Sequence, residues 1–237
     1  MISGRELVVR FIRQGGLYGL TAEKFSLGRS NEEVVRAMLD AGVRLVQYRE
    51  KTKKMGKKLE ECLSLRELTR KAGAALIIND DIDLAMLVEA DGVHVGQEDL
   101  PVAAVRRLVG ENMAIGLSTH APEEARAAKK AGADYIGVGP IFATQTKDDV
   151  CAPVGLGYLD FVVREMDMPF VAIGGIKEHN LRDVAARGAC CFALVTEIVE
   201  APDIQDRVRR LHAAIRDTSG QFCQRSEERR VGKECRS

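Results

Sequence analysis

Apolar residues along this chain fall into two alternating patterns. Short apolar runs, which are typical of buried strands, alternate with longer segments in which apolar residues recur at the spacing of a helix. Eight strands are predicted, at residues 17–20, 43–49, 74–78, 92–95, 113–117, 134–138, 169–173 and 190–195. The helices predicted after them span residues 30–41, 56–72, 82–90, 101–109, 121–131, 156–166, 178–187 and 203–216, and a short helix at 5–14 precedes the first strand.

Signals at the helix ends agree with this alternation. Ser30, with Glu33 three residues later, has the pattern of a capping box that starts a helix. Gly42, Gly73 and Gly132 each follow a helical segment and precede a strand, which is the position of a C-terminal capping glycine. Eight βα units without a GxGxxG motif or a break in composition favour a single (β/α)8 TIM barrel over an open doubly wound sheet.

The last residues differ from the rest of the chain. From about Ser219 onward the sequence is polar and has no periodic pattern. We therefore predict one catalytic domain over residues 1–218 and a tail over residues 219–237 that is disordered or not native to the protein. Removal of this tail is expected to leave activity intact.

Composition and charge narrow the range of partners. The chain has 35 lysine and arginine residues in total and also 35 aspartate and glutamate residues. With these charges in balance, no overall electrostatic field would attract nucleic acid or an anionic membrane. No apolar run approaches the roughly 20 residues that span a bilayer, and the start lacks the features of a signal peptide. The six cysteines show no metal-ligand spacing and fit reduced thiols. We predict a cytoplasmic protein with small-molecule substrates, either monomer or homodimer, that binds neither nucleic acid nor membrane.

Polar residues gather just after the predicted strands, where a barrel builds its active site. After the second strand, an alternation with period two places Gln47, Arg49 and Lys51 on one face, which suits a polyanion. The polar residues at later strand ends are Asn79, Asp80, Asp99, Ser118, His120 and Thr196. Each alone has a structural alternative, such as a helix cap for an aspartate. Their gathering on one rim favours a binding site.

Two of these residues suggest a metal ion. Asp80 and Asp99 stand at the tips of consecutive strands, so their carboxylates are expected to lie next to each other. A cation that holds phosphate oxygens explains such a pair, because Mg²⁺ commonly takes one or two carboxylates, water and substrate phosphates. His94 has no second histidine or cysteine at ligand spacing, so we interpret it as a hydrogen-bonded lining residue.

The segment 139–147, which follows the sixth strand, has the composition of a loop that closes on an oxyanion. It contains a glycine and a proline, and its polar members are Thr144, Gln145, Thr146 and Lys147. A second anion site is predicted at the glycine pair 174–175 and at residues 195–196, where exposed backbone N–H groups can hold a phosphate. The rim therefore offers two anion sites, with the loop between them.

The sequence at these strand ends resembles the thiamine phosphate synthase family. The segments that carry the resemblance are VQYREK (46–51), IND (78–80), GVHVGQED (92–99), GLSTH (116–120), GVGPIFATQTK (137–147) and AIGGI (172–176). They lie within about residues 17–215, and the T-x-T-K ending is the most specific. Tyr48 stands where the family usually has leucine, and the first strand lacks the aspartate of the frequent ending L-V-T-D.

The resemblance implies a transferase that joins 4-amino-2-methyl-5-hydroxymethylpyrimidine diphosphate to a thiazole phosphate, with the carboxylated thiazole as an alternative substrate. It implies that the pyrimidine diphosphate is held by Gln47, Tyr48, Arg49, Glu50, Lys51, Asn79, Ser118 and Lys147, of which Arg49, Lys51, Ser118 and Lys147 would be catalytic. It implies that Asp80 and Asp99 bind Mg²⁺, and that the thiazole phosphate is held by Thr144, Gln145, Thr146, Gly175, Val195 and Thr196. In this family the diphosphate leaves first, and the thiazole nitrogen captures the resulting cation.

Two other functions compete with this interpretation. A thiazole tautomerase on the same barrel would use His120 to move protons, but the complete T-x-T-K loop with paired aspartates favours the synthase. A non-catalytic sensor of phosphate ligands would need neither a Mg²⁺ site nor a lysine directed at a leaving group. Asp80, Asp99 and Lys147 therefore count against the sensor.

Overall fold

Eight parallel strands form a closed barrel in the computed structural model of the protein, which describes residues 2–144, 146 and 152–219. The strands are β1 Gly16–Leu20, β2 Leu45–Tyr48, β3 Ala75–Asn79, β4 Gly92–Val95, β5 Ala114–Thr119, β6 Tyr135–Val138, β7 Phe170–Ile173 and β8 Cys191–Leu194. Each strand pairs with the next one along the chain, and β8 pairs with β1. The predicted TIM barrel is confirmed.

The helices follow the strands as the sequence predicted, with two additions. The helices are α1 Gly4–Gln14, α2 Asn31–Asp40, α3 Met55–Lys71, α4 Ile82–Leu87, α5 Val102–Val109, α6 Pro122–Ala131, α7 Gly155–Glu165, α8 Leu181–Ala186, α9 Thr196–Val199 and α10 Ile204–Ser219. A 3-10 turn at Glu23–Phe25 and the four-residue α9 were not predicted. A single turn has too few residues to show a helical period.

The ends of β2 show why strand boundaries are harder to predict than strands. The predicted strand spans 43–49, but the N–H of Val43 donates to the carbonyl of Met38 at 3.0 Å and so completes the C-terminal cap of α2. At the other end, the N–H of Arg49 donates to Thr21 Oγ1 at 2.8 Å. Val43 is apolar and Arg49 continues the alternation of the strand, so the pattern includes both. Their N–H groups nevertheless bond outside the hydrogen-bond ladder between the strands.

Alternation along the strands separates two apolar layers. In β2, Leu45 and Gln47 face the interior of the barrel, whereas Val46 and Tyr48 pack in the layer between the barrel and the helices. The same period of two applies around the barrel, as expected for strands covered on both faces. This alternation decides which side chains of each strand point into the barrel and can reach its open end.

Helix α1 covers the end of the barrel at which the strands begin. Val8 and Ile12 are buried against the interior cluster of the barrel, and the N–H of Arg5 donates to the carbonyl of Asn112, just before β5. Arg5 Nε also lies 2.6 Å from Asp134 Oδ1. The helix starts with a capping box between Ser3 and Glu6. The opposite end, where the strands finish, is the one left for a binding site.

Part of the chain lies outside this description. Of the predicted tail, only Ser219 is described, and it ends α10, so the domain boundary stays a prediction. Among the described residues, no helix combines the length and apolar character needed to cross a bilayer.

Candidate active site

The ends of β2, β3 and β4 meet at the open end of the barrel. Lys51 Nζ lies 3.2 Å from Asp80 Oδ2, and Asp80 follows Asn79 at the end of β3. The carboxyl groups of Asp80 and Asp99 are close enough to interact, and Asp99 Oδ2 also accepts a hydrogen bond from the N–H of Gly96 at 2.7 Å. The side chains of these tips are therefore neighbours.

The environment of Asp80 is unusual for a carboxyl group. Burial raises its pKa, the nearby Lys51 lowers it, and repulsion from Asp99 raises it again, so that the pKa lies above its ordinary value. The residue also has a positive φ of 61°, which is uncommon outside glycine. Two carboxylates that repel each other in a partly buried place form a donor set that a divalent cation would stabilise.

The number of available ligands limits the kind of metal site. Within the described residues, no group of three or more histidine, cysteine, aspartate or glutamate side chains could hold an ion. Two carboxylates alone would leave most of the coordination of a cation to other oxygen ligands, such as water or substrate phosphates. That requirement fits Mg²⁺, which usually keeps several waters and binds substrate phosphates.

The segment that carries Arg49 and Lys51 is fixed to the 3-10 turn that follows β1. Besides the bond from the N–H of Arg49 to Thr21, the N–H of Glu23 donates to Glu50 Oε1 at 2.9 Å. The Glu50 carboxylate is thus engaged with the backbone of the turn. Any contact of Glu50 with substrate would use a carboxylate lone pair that this hydrogen bond leaves unoccupied.

Glu61 in α3 holds the same segment from the other side. Its carboxylate accepts hydrogen bonds from Lys53 Nζ at 2.5 Å, Asn31 Nδ2 at 2.9 Å and the Tyr48 hydroxyl at 2.9 Å. Burial alone would raise the pKa of Glu61, but these three donors outweigh it and hold the pKa below its usual value. The side chain of Tyr48, only 1% exposed, therefore faces α3 and not the open end of the barrel.

A chain of hydrogen bonds crosses the interior of the barrel just below the open end. Gln47 Nε2 donates to the Tyr18 hydroxyl at 2.9 Å, and the hydroxyls of Tyr18 and Tyr135 are 3.1 Å apart. The Tyr135 hydroxyl lies 3.1 Å from His94 Nδ1, and His94 Nε2 lies 2.9 Å from Ser118 Oγ. The interpretation of His94 as a hydrogen-bonded lining residue is confirmed. The chain connects two predicted substrate residues, Gln47 and Ser118.

The two glycines after β7 let the loop that follows the neighbouring strand β6 approach closely. Gly174 and Gly175 both have positive φ, and a Cβ on Gly174 would lie 2.4 Å from Pro140 Cα. A Cβ on Gly175 would lie 2.5 Å from the carbonyl oxygen of Ala143. The glycine pair therefore brings the start of the loop 139–147 against β7.

The hydroxyls of this loop lie together. Thr144 Oγ1 is 3.1 Å from Thr146 Oγ1, and both residues are half-buried. Gln145 and Lys147, which were predicted to bind substrate, lie outside the described residues.

A lysine that the sequence analysis missed stands at the second predicted anion site. Val195 and Thr196, both half-buried, lie at the start of α9. Lys177 Nζ donates to Thr196 Oγ1 at 2.9 Å and lies 3.5 Å from Glu197 Oε2. Its only signal in the sequence is its position directly after the segment 172–176.

Asn180 connects this lysine to the glycine pair. Its Nδ2 donates to the carbonyl of Gly175 at 3.0 Å, and its Oδ1 accepts a hydrogen bond from the N–H of Lys177 at 2.7 Å. Residues 177–180 therefore form a turn, and α8 begins at Leu181 and not at residue 178 as predicted.

His120 is tied to the loop after β6. Its Nδ1 lies 2.5 Å from the carbonyl oxygen of Gly139, and its N–H donates to Glu124 Oε2 at 2.8 Å. The ring thus has a structural partner at the base of the loop 139–147. This contact explains a histidine at the tip of β5 without a role in proton transfer.

Comparisons with known proteins agree with this geometry. Residues 17–198 match the family model described as thiamine monophosphate synthase. A thiamine-phosphate synthase of Pelotomaculum thermopropionicum is 62% identical over 202 residues, covering 85% of this chain and 93% of that protein. The one from Lawsonia intracellularis is 53% identical over 199 residues, covering 84% and 92%. The solved thiamine phosphate pyrophosphorylase of Pyrococcus furiosus superposes with a TM-score of 0.80 at 32% identity, covering 87% of this chain and 98% of that one.

Proposed function

The chain belongs to the thiamine monophosphate synthase family and is a transferase of thiamine biosynthesis, and from this premise we propose the substrates, the metal and the order of bond changes at its site. The substrates are 4-amino-2-methyl-5-hydroxymethylpyrimidine diphosphate and a thiazole phosphate, and the products are thiamine phosphate and diphosphate. The observation that carries this proposal is the contact of Lys51 with Asp80, whose carboxyl group in turn interacts with that of Asp99, at the ends of three neighbouring strands.

The diphosphate binds at this cationic end of β2. Arg49 and Lys51, with Lys147 from the loop, supply positive charge, and the Ser118 hydroxyl and the Asn79 amide supply hydrogen bonds. Mg²⁺ held by Asp80 and Asp99 would add charge against the substrate's phosphate oxygens. The fixed positions of Thr21, Glu23 and Glu61 around the segment 49–53 support this role, because a preorganised cation needs no rearrangement during reaction.

The reaction begins with departure of the diphosphate. The bond between the pyrimidine methylene carbon and the diphosphate oxygen breaks, and the electron pair leaves with the oxygen. Negative charge then grows on the leaving group, so Arg49, Lys51 and Lys147 stabilise the transition state more than the intact substrate. The lone pair of the thiazole nitrogen forms the new C–N bond. No proton has to be removed, so no general base is required.

The thiazole phosphate binds at the ends of β7 and β8. Gly175, Val195 and Thr196 would offer backbone N–H groups to its phosphate. Thr144, Gln145 and Thr146 are proposed to add side-chain hydrogen bonds. Lys177 adds a cation to this second site, since its Nζ lies beside Thr196. The proposal thus gives the segment after β6 a part in both sites, through Thr144, Gln145 and Thr146 at the thiazole phosphate and Lys147 at the diphosphate.

The competing functions are not favoured. The relatives reported above carry the synthase name at 62% and 53% identity. A tautomerase would use His120 for proton transfer, but the contact of its ring with the carbonyl of Gly139 gives this histidine a structural role without it. We keep the cytoplasmic location as a prediction, supported by the free thiols of the three described cysteines, Cys62, Cys190 and Cys191, and monomer or homodimer as alternatives.

A reconstitution experiment tests the proposed reaction. The purified protein is mixed with both phosphorylated substrates and Mg²⁺, and thiamine phosphate and diphosphate are measured with each component left out in turn. We expect equal amounts of the two products, and neither product without Mg²⁺. Product formation that continues after Mg²⁺ is chelated would contradict the metal assignment. The absence of product from the complete mixture would contradict the proposed substrates. Supplying the carboxylated thiazole in a parallel reaction identifies which form is accepted.

A further inference from the structure

The hydrogen-bond chain inside the barrel has a direction that follows from its ends. The buried Tyr18 hydroxyl has two side-chain partners among the described residues, Gln47 and Tyr135. The amide nitrogen of Gln47 can only donate, and a buried O–H group needs an acceptor, so the hydrogen of Tyr18 goes to the Tyr135 oxygen. The hydrogen of Tyr135 then goes to His94 Nδ1. A neutral ring that accepts at Nδ1 carries its proton at Nε2, which donates to Ser118 Oγ.

This direction determines what Ser118 can do. Its oxygen already accepts from His94, so its own hydrogen is left for an acceptor at the open end of the barrel. If the chain ran the other way, Ser118 would donate to His94 and would have no hydrogen to offer an anion. The donor at Gln47 thus decides the role of a hydroxyl four hydrogen bonds away.

The barrel leaves space for this chain at two glycines. A Cβ on Gly116 would lie 2.2 Å from Tyr135 Cζ and 2.5 Å from His94 Nδ1, at the junction of the two side chains. A Cβ on Gly137 would lie 3.3 Å from His94 Cε1. Strands β5 and β6 therefore lack side chains where the histidine and the tyrosine meet.

Both tyrosines are fixed as O–H groups. Tyr18 is 2% exposed and Tyr135 is fully buried, and burial raises the pKa of both hydroxyls above the ordinary value. Each hydroxyl therefore keeps its hydrogen near neutral pH and has one hydrogen to pass on, so ionisation of the tyrosines does not interrupt the chain.

We propose that Tyr18, Tyr135 and His94 are positioning residues that hold His94 as the Nε2–H tautomer and thereby present Ser118 as a hydrogen-bond donor to an anion. The identity of that anion as the diphosphate rests on the proposed function. The tautomer itself does not, because it is a property of the protein without substrate.

The first test is the ¹⁵N chemical shifts of His94 in the full-length, histidine-labelled protein without substrate. The protein has four histidines, and the signals of His94 are assigned as those that disappear in the His94→Gln variant. We expect a protonated Nε2 and an unprotonated Nδ1. A protonated Nδ1 would overturn the proposal and leave the reaction untouched, whereas the expected tautomer in a protein that forms no thiamine phosphate would contradict the function alone.

The second test cuts the chain far from substrate. Tyr18→Phe removes the link to Gln47, so we expect a second tautomer of His94 to appear and kcat to fall about tenfold, with the KM for thiazole phosphate unchanged. Tyr158→Phe is the matched control, because the Tyr158 hydroxyl is also buried but donates to Thr119, outside the chain. The control is expected to change neither the tautomer nor kcat. An unchanged tautomer in Tyr18→Phe would overturn the proposal.

The third test asks whether the chain acts through Ser118. Ser118→Ala is expected to lower kcat about a hundredfold, as for loss of one donor to a developing anion. In that background Tyr18→Phe has nothing left to orient, so we expect it to cause no further loss. Losses that multiply in the double variant would show that Tyr18 acts independently of Ser118 and would overturn the proposal.

Discussion

Asp80 is the residue on which the metal prediction can be tested most directly. Asp80→Asn keeps the size of the side chain and its backbone contact with His94 but removes one of the two proposed negative ligands. We expect the Mg²⁺ concentration that half-saturates diphosphate release to rise at least about tenfold, because even indirect partners of metal ligands change affinity by that much. Asp217→Asn, on the exposed part of α10, is the control and should leave the Mg²⁺ dependence unchanged. A variant at Asp80 with unchanged Mg²⁺ dependence would remove it from the metal site.

Lys147 is expected to act on the leaving group and not on the second substrate. Lys147→Ala should lower kcat more than it raises the KM for thiazole phosphate, since a charge that matters in the transition state affects turnover. Steady-state kinetics with each substrate varied in turn separates the two effects. A rise in that KM with normal kcat would instead assign Lys147 to the thiazole site.

Individual residues show what the sequence could predict about the site. The strand ends predicted the neighbourhood of Lys51, Asp80 and Asp99, because parallel strands in a barrel finish at one rim. The partners of Tyr48 and Glu50 could not be predicted, because they depend on contacts with α3 and with the turn after β1. Such contacts between separate elements leave no periodic pattern in the sequence.

At the scale of elements, Glu61 couples α3 to the segment that carries Arg49 and Lys51. Its folded-state pKa is lowered, so its stabilising effect is present above the unfolded pKa of about 4.3 and is lost as the pH falls through the lower, folded value. Glu61→Gln should therefore lower the free energy of unfolding by about 2 kcal/mol near neutral pH and by less below about pH 4.

Denaturant unfolding across this pH range measures the effect. Glu60→Gln is the matched control, since the neighbouring Glu60 is exposed and pairs only with Lys57 among the described residues. It should change stability little at any pH. A difference between wild type and Glu61→Gln that is the same at pH 7 and pH 3 would contradict a role for the ionised carboxylate.

The order of elements was predictable, and their exact ends were less so. Eight apolar runs and their capping glycines predict the barrel because burial on both faces and helix termination are local properties. The turn at Glu23–Phe25 and α9 escaped prediction because each is too short for a period. Residues 178–180 were assigned to a helix although Asn180 holds them in a turn.

At the scale of the whole molecule, the end of the barrel that α1 covers contributes to stability and lies away from the predicted site. Val8 of α1 is fully buried at the end away from the predicted site, so Val8→Ala should lower the free energy of unfolding by about 2 kcal/mol. Activity per folded molecule should not change. Val9→Ala, one position along and half-buried, should cost less. A loss of kcat/KM per folded molecule in Val8→Ala would show that this end of the barrel also affects activity and would contradict the prediction.

The pairing of β8 with β1 has a consequence for association between copies of the chain. A sheet that closes on itself leaves no edge among the eight described strands, so a neighbouring chain finds no unpaired backbone groups on which to add a strand. A homodimer, if it forms, would join through side chains of helices and loops. Its strength would then depend on a few surface residues, and substitutions there could separate the subunits while the barrel remains folded.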